Sequence, residues 1–359
     1  MEIAVLGGGN GSHAAVVDFS EAGHNVRFWR RDRQALAPVM ESRRIRLRDA
    51  AGVRDVPIAK VTADLGEAIG GAELIVAPLP AFAQADLAVM LAPHLRDGQV
   101  IYLPPGTFGS YLMSKILREN GCRADIAIAE TGTLPWLTRR RGSDEIAITT
   151  RATRLPTGVF PARRTAETLE VIRQAFPEAI ERVEDALSAA LMNAGPIIHP
   201  PLILMNAGPI EHFERWDIHK EGTQASIRRV HAALDAERIA VREVLGYTPP
   251  HFPLSDHYDT SDWMYGNLAH DKLVDSGDWH EHLDLLRHRY MTEDVAMGLA
   301  FLVSVGEWSA TPTPVAAGLL AVAGAATGSD FRKTGRTMAN LGLAGIGREA
   351  MQNLLHGGL

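Results

Sequence analysis

Gly7-Gly8-Gly9-Asn10-Gly11-Ser12 follows the apolar run Glu2–Leu6 and opens a helix-like segment, and this stretch decides the fold. It fits the pattern G-x-G-x-x-G/A, with Ser12 in the third place. Gly7 permits the tight turn, and Gly9 lets the backbone come close to a pyrophosphate. Ser12 is small enough for the helix to pack on the strand. A helix beginning at Asn10 and Gly11 would present free N–H groups and the positive end of its dipole to phosphates. A plain glycine-rich turn is the bland alternative. The strand before, the helix after and the position next to Met1 together favour a dinucleotide site.

Working outward, short apolar runs alternate with amphipathic segments, as in βαβ units. Strands are expected at Glu2–Leu6, Asn25–Trp29, Glu73–Ala77, Gln99–Leu103 and Asp125–Ala129. Helices are expected near Ser12–Ala22, Arg33–Ser42, Ala81–Leu91 and Ser110–Asn120. Ile45–Arg48 and Val56–Lys60 read as a small excursion. Beyond about residue 185 helical spacing takes over, clearest in Ile227, Val230, Leu234, Val241 and Leu245, with Gly246 as the cap. The expected fold is α/β, an N-terminal Rossmann doubly wound sheet over 1–184 followed by an all-α domain over 185–359.

The end of the second strand selects the dinucleotide, because an acid there binds the ribose 2′-hydroxyl of NAD. The sequence offers Phe28-Trp29-Arg30-Arg31-Asp32-Arg33. Arg30 and Arg31 stand where the acid would, and guanidinium pairs bidentately with phosphate. NADP is therefore the expected cofactor, with NAD possible if a register shift puts Asp32 on the ribose. Pro78-Leu79-Pro80 and Pro104-Pro105-Gly106-Thr107 follow strands and are candidate nicotinamide walls, although turn chemistry explains them equally well.

The formal charge of −7 argues against nucleic acid, which calls for a basic surface. Of the 36 basic residues 31 are arginine, a bias that decides nothing alone. Cys122 is the only cysteine, so no intrachain disulfide can form and a reducing compartment fits best. Met1-Glu2 runs straight into a strand without a basic leader, and Val315–Ala326 is too short to span a bilayer. The expectation is a cytoplasmic protein without a membrane partner.

Hydride transfer to a carbonyl or imine needs a proton donor, most often histidine. Nine of the 14 histidines fall between His212 and His288. His280-Glu281-His282 lacks further ligands at useful spacing, so no metal is expected. His199 lies in Asn193-Ala194-Gly195-Pro196-Ile197-Ile198-His199-Pro200-Pro201, just past the expected domain boundary. On the residues alone, a buried structural histidine outweighs a catalytic one there. Arg289-Tyr290-Met291-Thr292-Glu293-Asp294-Val295 sets a cation and acids near a helix start.

With these motifs in place, the chain resembles the opine dehydrogenase (octopine/nopaline dehydrogenase) family over essentially its whole length. The resemblance rests on Gly7-x-Gly9-Asn10-Gly11, Asn193…His199-Pro200 and Asp235-x-Glu237-Arg238-Ile239. It continues in Arg289-Tyr290-x-x-Glu293-Asp294-Val295, Asp330-Phe331-Arg332-Lys333-x-Gly335-Arg336-Thr337 and Leu341-Gly342-Leu343. It implies an all-helical opine dehydrogenase domain after the Rossmann domain. It also implies NAD(P)H-dependent reductive condensation of an amino acid with a 2-oxo acid through an imine, a reaction at CH–NH. By the same resemblance His199 is the catalytic histidine, Asp294 its carboxylate partner and Arg289 the holder of the oxo-acid carboxylate. Asn193 matches a polar residue of the motif. Gly195-Pro196 departs from the polar residue expected before His-Pro, and Arg30 departs from the acid of NAD-using members. The partners implied are the two small substrates, and a homodimer is the assembly kept in view. Phe213–Gly222 and Asp256–Asn267 are the expected specificity region, where Trp216, Trp263 and Tyr265 form either an apolar wall or core. An NADP-dependent 2-oxo acid or ketone reductase and a non-catalytic NADP-binding protein stay open as alternatives.

Overall fold

The computed structural model describes residues 1–266, 268–277 and 282–359. Its strands, in chain order, are β1 (Glu2–Leu6), β2 (Asn25–Trp29), β3 (Arg44–Asp49), β4 (Gly52–Pro57), β5 (Lys60–Thr62) and β6 (Leu74–Val76). They continue with β7 (Val100–Leu103), β8 (Ala127–Thr131), β9 (Trp136–Arg140), β10 (Glu145–Arg151), β11 (Leu155–Phe160) and β12 (Ile180–Arg182). Helices α1 (Asn10–Glu21), α2 (Arg33–Ser42), α3 (Leu65–Ile69), α4 (Gln84–Leu91), α5 (Gly109–Glu119) and α6 (Thr165–Ala175) connect them.

Eight strands form one sheet in the order β12-β11-β8-β7-β6-β1-β2-β5. From β5 to β8 all neighbours are parallel, and β11 then runs antiparallel to β8. The strand order reverses between β1 and β6, the position at which doubly wound sheets bind ligands. Period-two alternation sends Ile3 and Val5 into one hydrophobic cluster and Ala4 and Leu6 into another. Both faces of β1 are therefore covered, which is why its sequence reads as one apolar run.

The excursion at Ile45 and Val56 grows into a second sheet, β4-β3-β10-β9, that packs on α1. The expected Ile45–Arg48 lies within β3, but the expected Val56–Lys60 straddles two strands, because the ladder with β3 ends at Pro57 and Lys60 already pairs with β2. In β9 and β10, Thr and Arg interrupt the apolar pattern, and a register shift between Ile148 and Thr150 breaks the alternation.

Two compact units divide the chain. One holds Met1–Leu79, Ala83–Ala190 and Gln352–Leu359, and the other Pro80–Phe82 and Leu191–Met351. Helix α7 (Ala186–Ala190) stays with the first unit because it packs on β11, where Gly158 leaves room for the Asp185 carbonyl. The second unit contains only helices among the described residues, beginning with α8 (Gly195–Met205), α9 (Ala207–His212) and α10 (Ala225–Val244). In α10, Ile227, Leu234 and Val241 are buried as their spacing predicts, and Gly246 ends the run at φ +88°. The acidic and basic motif of α10 is scaffolding. Asp235 pairs with Arg238 at 2.6 Å and accepts the Leu254 N–H, while Glu237 accepts N–H bonds from Val315 and Ala316 at the start of helix Pro314–Thr327. The run Ala186–Met205 has the length and hydropathy of a membrane span, but 78% of it is buried in the protein.

Candidate active site

The glycine turn lies in the sheet unit. Gly7 sits at φ +118°, and a Cβ there would stand 2.5 Å from Leu79 and 2.6 Å from the Ser12 hydroxyl. Gly9 has nothing within 4 Å of the place its Cβ would take, and no side chain caps α1. The first-turn N–H groups of Asn10 and Gly11 therefore have no capping side chain, the condition under which a helix start takes a phosphate. Gly11 packs against Pro78 and Leu134. Ser12 is fully buried with its hydroxyl donating to the Leu6 carbonyl at 3.2 Å, so its side chain holds the turn together. Beside the turn is a cavity of about 220 Å³ whose walls include Gly7, Gly8, Arg30, Arg31, Leu79 and Met90. Asp32 accepts the Ala35 N–H at 3.0 Å as the cap of α2, which commits the acid that a shifted register would offer to ribose. Pro104 is buried, and its loop folds over the Glu130 carboxylate, which accepts N–H bonds from Phe108 at 2.7 Å and Ser110 at 3.3 Å. Turn, uncapped helix start and cavity fit a dinucleotide.

The second group of residues lies in the helical unit. Tyr290–Leu299 is a ten-residue π-helix, a rare form found often at functional positions. It brings Tyr290 and Asp294 to the same ring. Asp294 Oδ2 lies 2.9 Å from His199 Nδ1, and the Tyr290 ring stacks on the imidazole at 3.8 Å between centroids and 17° between planes. Edge and face of His199 are thus both held. His219 meets the same imidazole edge-on at 6.1 Å.

The glycine and proline that departed from the expected motif have a packing reason. A Cβ on Gly195 would collide with the Asp294 carboxylate, and one on Gly298 would collide with the Pro196 ring. α8 and the π-helix approach closely because each is notched where the other projects. Asn193, also buried, accepts the Gly195 N–H at 3.1 Å and so fixes the start of α8 beside the dyad.

Arg289 lies one residue before the π-helix, 3.2 Å from Glu293, with its side chain 43% exposed. Glu293 is buried, accepts the Ala81 N–H at 3.2 Å through Oε1, and takes no hydrogen bond on Oε2 because the Arg289 contact lies off the bonding direction. Burial weighs against the Arg289 charge, but the carboxylates of Glu293 and Asp294 outweigh it and raise its pKa. Burial likewise raises Glu293, with Arg289 pulling the other way.

Asp294 is pushed up to about 7 by burial, opposed by the Arg289 charge. An unfolded aspartate titrates near pH ~4, so folding takes up a proton between the two values. Stability linked to the neutral acid is complete below pH ~4 and is lost as pH rises through about 7. Asp294→Asn is always neutral. It should melt about 2 °C or more above the wild type at pH 8, with the gain shrinking at pH 5. A lower melting temperature at pH 8 would show that the ionised pair with His199 outweighs burial.

In the expected specificity region Trp263 and Tyr265 are buried, and Trp216 donates to Asn206 at 3.1 Å while stacking on exposed Phe213. Asn267, His280 and Glu281 lie outside the described residues. Among the described residues no cluster of His, Cys, Asp and Glu is placed to hold a metal. Sequence reasoning gave no role to Tyr290 or His219, and placed Glu293 only as a surface partner of Arg289, whereas it is buried. Tyr290 and Glu293 sat inside the quoted Arg289–Val295 motif, which was the available signal. Arg140, whose guanidinium donates to the Gly8 carbonyl at 2.7 Å, was also missed, although it sits in the run Arg139-Arg140-Arg141.

The α-helical domain of NAD/NADP octopine/nopaline dehydrogenases matches residues 182–327, and the N-terminus of NAD-dependent glycerol-3-phosphate dehydrogenases matches residues 2–120. The chain is 29% identical to an opine dehydrogenase of Arthrobacter sp. (strain 1C) over 354 residues, 96% of this chain and 95% of that one. It is 21% identical to an octopine dehydrogenase of Mizuhopecten yessoensis, over 88% of this chain and 87% of the other. Among solved structures, octopine dehydrogenase in complex with NADH and agmatine shares the fold with a TM-score of 0.74 at 18% identity, covering 99% of this chain and 98% of that one. NADP+-bound yersinopine dehydrogenase does so with a TM-score of 0.65 at 15% identity, covering 99% and 98%.

Proposed function

We propose that the chain is an opine dehydrogenase, and that it condenses an amino acid with a 2-oxo acid and reduces the resulting imine with NAD(P)H. The observation that carries this reading is the His199–Asp294 pair, half-buried at the imidazole and buried at the carboxylate, with Arg289 five residues before Asp294 at the start of the same helical segment. This is an acid–base group and a carboxylate anchor in one unit. The enzyme is an NAD(P)-dependent oxidoreductase, and the finer assignment is action at CH–NH.

The amine must be neutral to attack the oxo carbon. Arg289 would take the oxo-acid carboxylate through its planar fork and so fix the direction of that carbon. With Asp294 at Nδ1 of His199, Nε2 would be the nitrogen that transfers the proton. His199 would protonate the departing carbinolamine oxygen, and Asp294, where ionised above its raised pKa, would favour the imidazolium before that transfer. Tyr290 keeps the ring in plane throughout. The dinucleotide supplies the hydride. Arg30 and Arg31 at the cavity of the sheet unit support NADP over NAD. Pro78, packed on Gly11, and the Pro104 loop follow β6 and β7 and would wall the nicotinamide. The single buried cysteine supports a cytoplasmic enzyme.

Oxidation of NADPH should require both an amino acid and a 2-oxo acid such as pyruvate. Amino acids screened one at a time against pyruvate would identify the amine donor. Consumption with the oxo acid alone would replace this reading with a simple oxo-acid reductase.

A further inference from the structure

The hairpin of β9 and β10 is latched to the glycine turn at three points. The Arg140 N–H donates to Asn10 Oδ1 at 3.0 Å, Arg140 Nη1 donates to the Gly8 carbonyl at 2.7 Å, and His13 Nε2 lies 3.1 Å from the Ser143 carbonyl. Gly8 has a second basic neighbour. A Cβ built on it would stand 2.5 Å from Cδ and Nε of Arg30 and 2.9 Å from its Cζ. A Cβ at Gly8 would push the Arg30 side chain out of the place it takes beside the turn. Two guanidinium groups, one from the end of β2 and one from the end of β9, therefore flank a single residue of the turn.

Neither has a carboxylate partner among the described residues, and Arg30 makes only a long 3.4 Å bond to the Ala35 carbonyl. The nearby acids are Asp32, engaged as the cap of α2, and Asp86 on the cavity wall. Burial and then the positive charge of Arg30 weigh against the charge on Arg140. His13 gives no relief. Burial pushes it down to about 4, its carbonyl bonds oppose this, and both arginines add to the fall. Like charges held together without a counterion raise the energy of the empty site, and an anion lowers it again.

We infer that Arg140 and Arg30 form a two-sided clamp for the 2′-phosphate of NADP, which makes β9 a second specificity-determining element beside the end of β2. The pyrophosphate belongs at the uncapped start of α1, beyond Gly9, so it does not account for charges gathered at Gly8. The position after the second strand is where the ribose 2′-substituent is read, and Arg30 stands there. Guanidinium is the side chain whose fork matches phosphate.

The clamp rests on the NADP reading, and the two fail separately. Titrating nucleotide-free wild type with NADPH and NADH, without substrates, tests the reading through the ratio of the two dissociation constants. The clamp is tested by how Arg140→Gln changes each constant. NADPH should weaken by about tenfold or more and NADH by less than about threefold, as expected for loss of one charge-assisted phosphate contact. Arg30→Gln should behave alike, and Arg140→Lys should fall between, because the charge stays and the fork is lost. If Arg140→Gln does not fold, competition on wild type by 2′,5′-ADP and 5′-ADP, with Arg140→Lys as the variant, gives the same discrimination. Equal weakening of NADPH and NADH would overturn the clamp and give Arg140 to the pyrophosphate or the turn. Unchanged NADPH affinity would overturn it as well.

Discussion

His199→Ala should lower turnover by about a hundredfold or more, the usual loss when a positioned acid–base group is removed. The affinity for the reduced cofactor should stay near the wild-type value, since the glycine turn lies in the other unit. Asp294→Ala should cost less. It leaves the imidazole stacked on Tyr290 at 3.8 Å but removes the acceptor that fixes its tautomer. The double variant should be hardly slower than His199→Ala alone, because a group that acts through another has no effect once that other is gone. Steady-state turnover of the four proteins at saturating substrates checks this. Losses that simply multiplied would mean that His199 and Asp294 work independently, and the dyad would be the wrong description.

Arg289→Ala should raise the Michaelis constant for the 2-oxo acid by at least about tenfold, since each charge-assisted bond of the fork is worth about 1.5–3 kcal/mol and a decade about 1.4. The structure sharpens the competing account. Arg289 lies 3.2 Å from Glu293 and is 43% exposed on its side chain, so it is engaged by a neighbour as well as open to a ligand. A pair that served only the helix would contribute about 0.3–0.5 kcal/mol and leave the constant within about twofold. Arg289→Lys separates the two. It keeps a positive charge near the buried Glu293, which protects stability, but it cannot grip a carboxylate with two parallel N–H bonds. A raised constant for the oxo acid in a normally melting Arg289→Lys protein is the expected result. An unchanged constant in both variants would remove Arg289 from substrate binding.

Local chemistry made much of the sheet unit legible. Glu2–Leu6, Asn25–Trp29 and Arg33–Ser42 fall where the alternation of apolar runs and amphipathic segments puts them, because each carries its own periodicity and caps. Of the small sheet only β3 was legible, since the expected Val56–Lys60 meets β4 only at Val56 and Pro57. The partners of β10 are distant in sequence on one side and arginine- and threonine-rich on the other, so neither strand announces itself. The cation missed at the turn follows from that. Arg140 and Gly8 are 132 residues apart, and only the packing of β9 on α1 brings them together.

The dyad divides in the same way. On the residues alone His199 reads as a structural histidine, since burial and hydrogen bonding look alike for a core imidazole and a catalytic one. Its partner stands 95 residues away, and no periodicity links α8 to the π-helix. The sequence by itself determined the glycine turn, the change from sheet to helical unit, and the basic residues at the end of β2, because turns, periods and local charge are properties of neighbouring residues. Tertiary structure alone decided that Gly195 makes room for Asp294, that Tyr290 stacks on His199, and that two arginines converge on Gly8. The reason is physical. Close approach between segments depends on the shapes of both, and the chemistry of a buried carboxylate depends on the atoms that replace water around it.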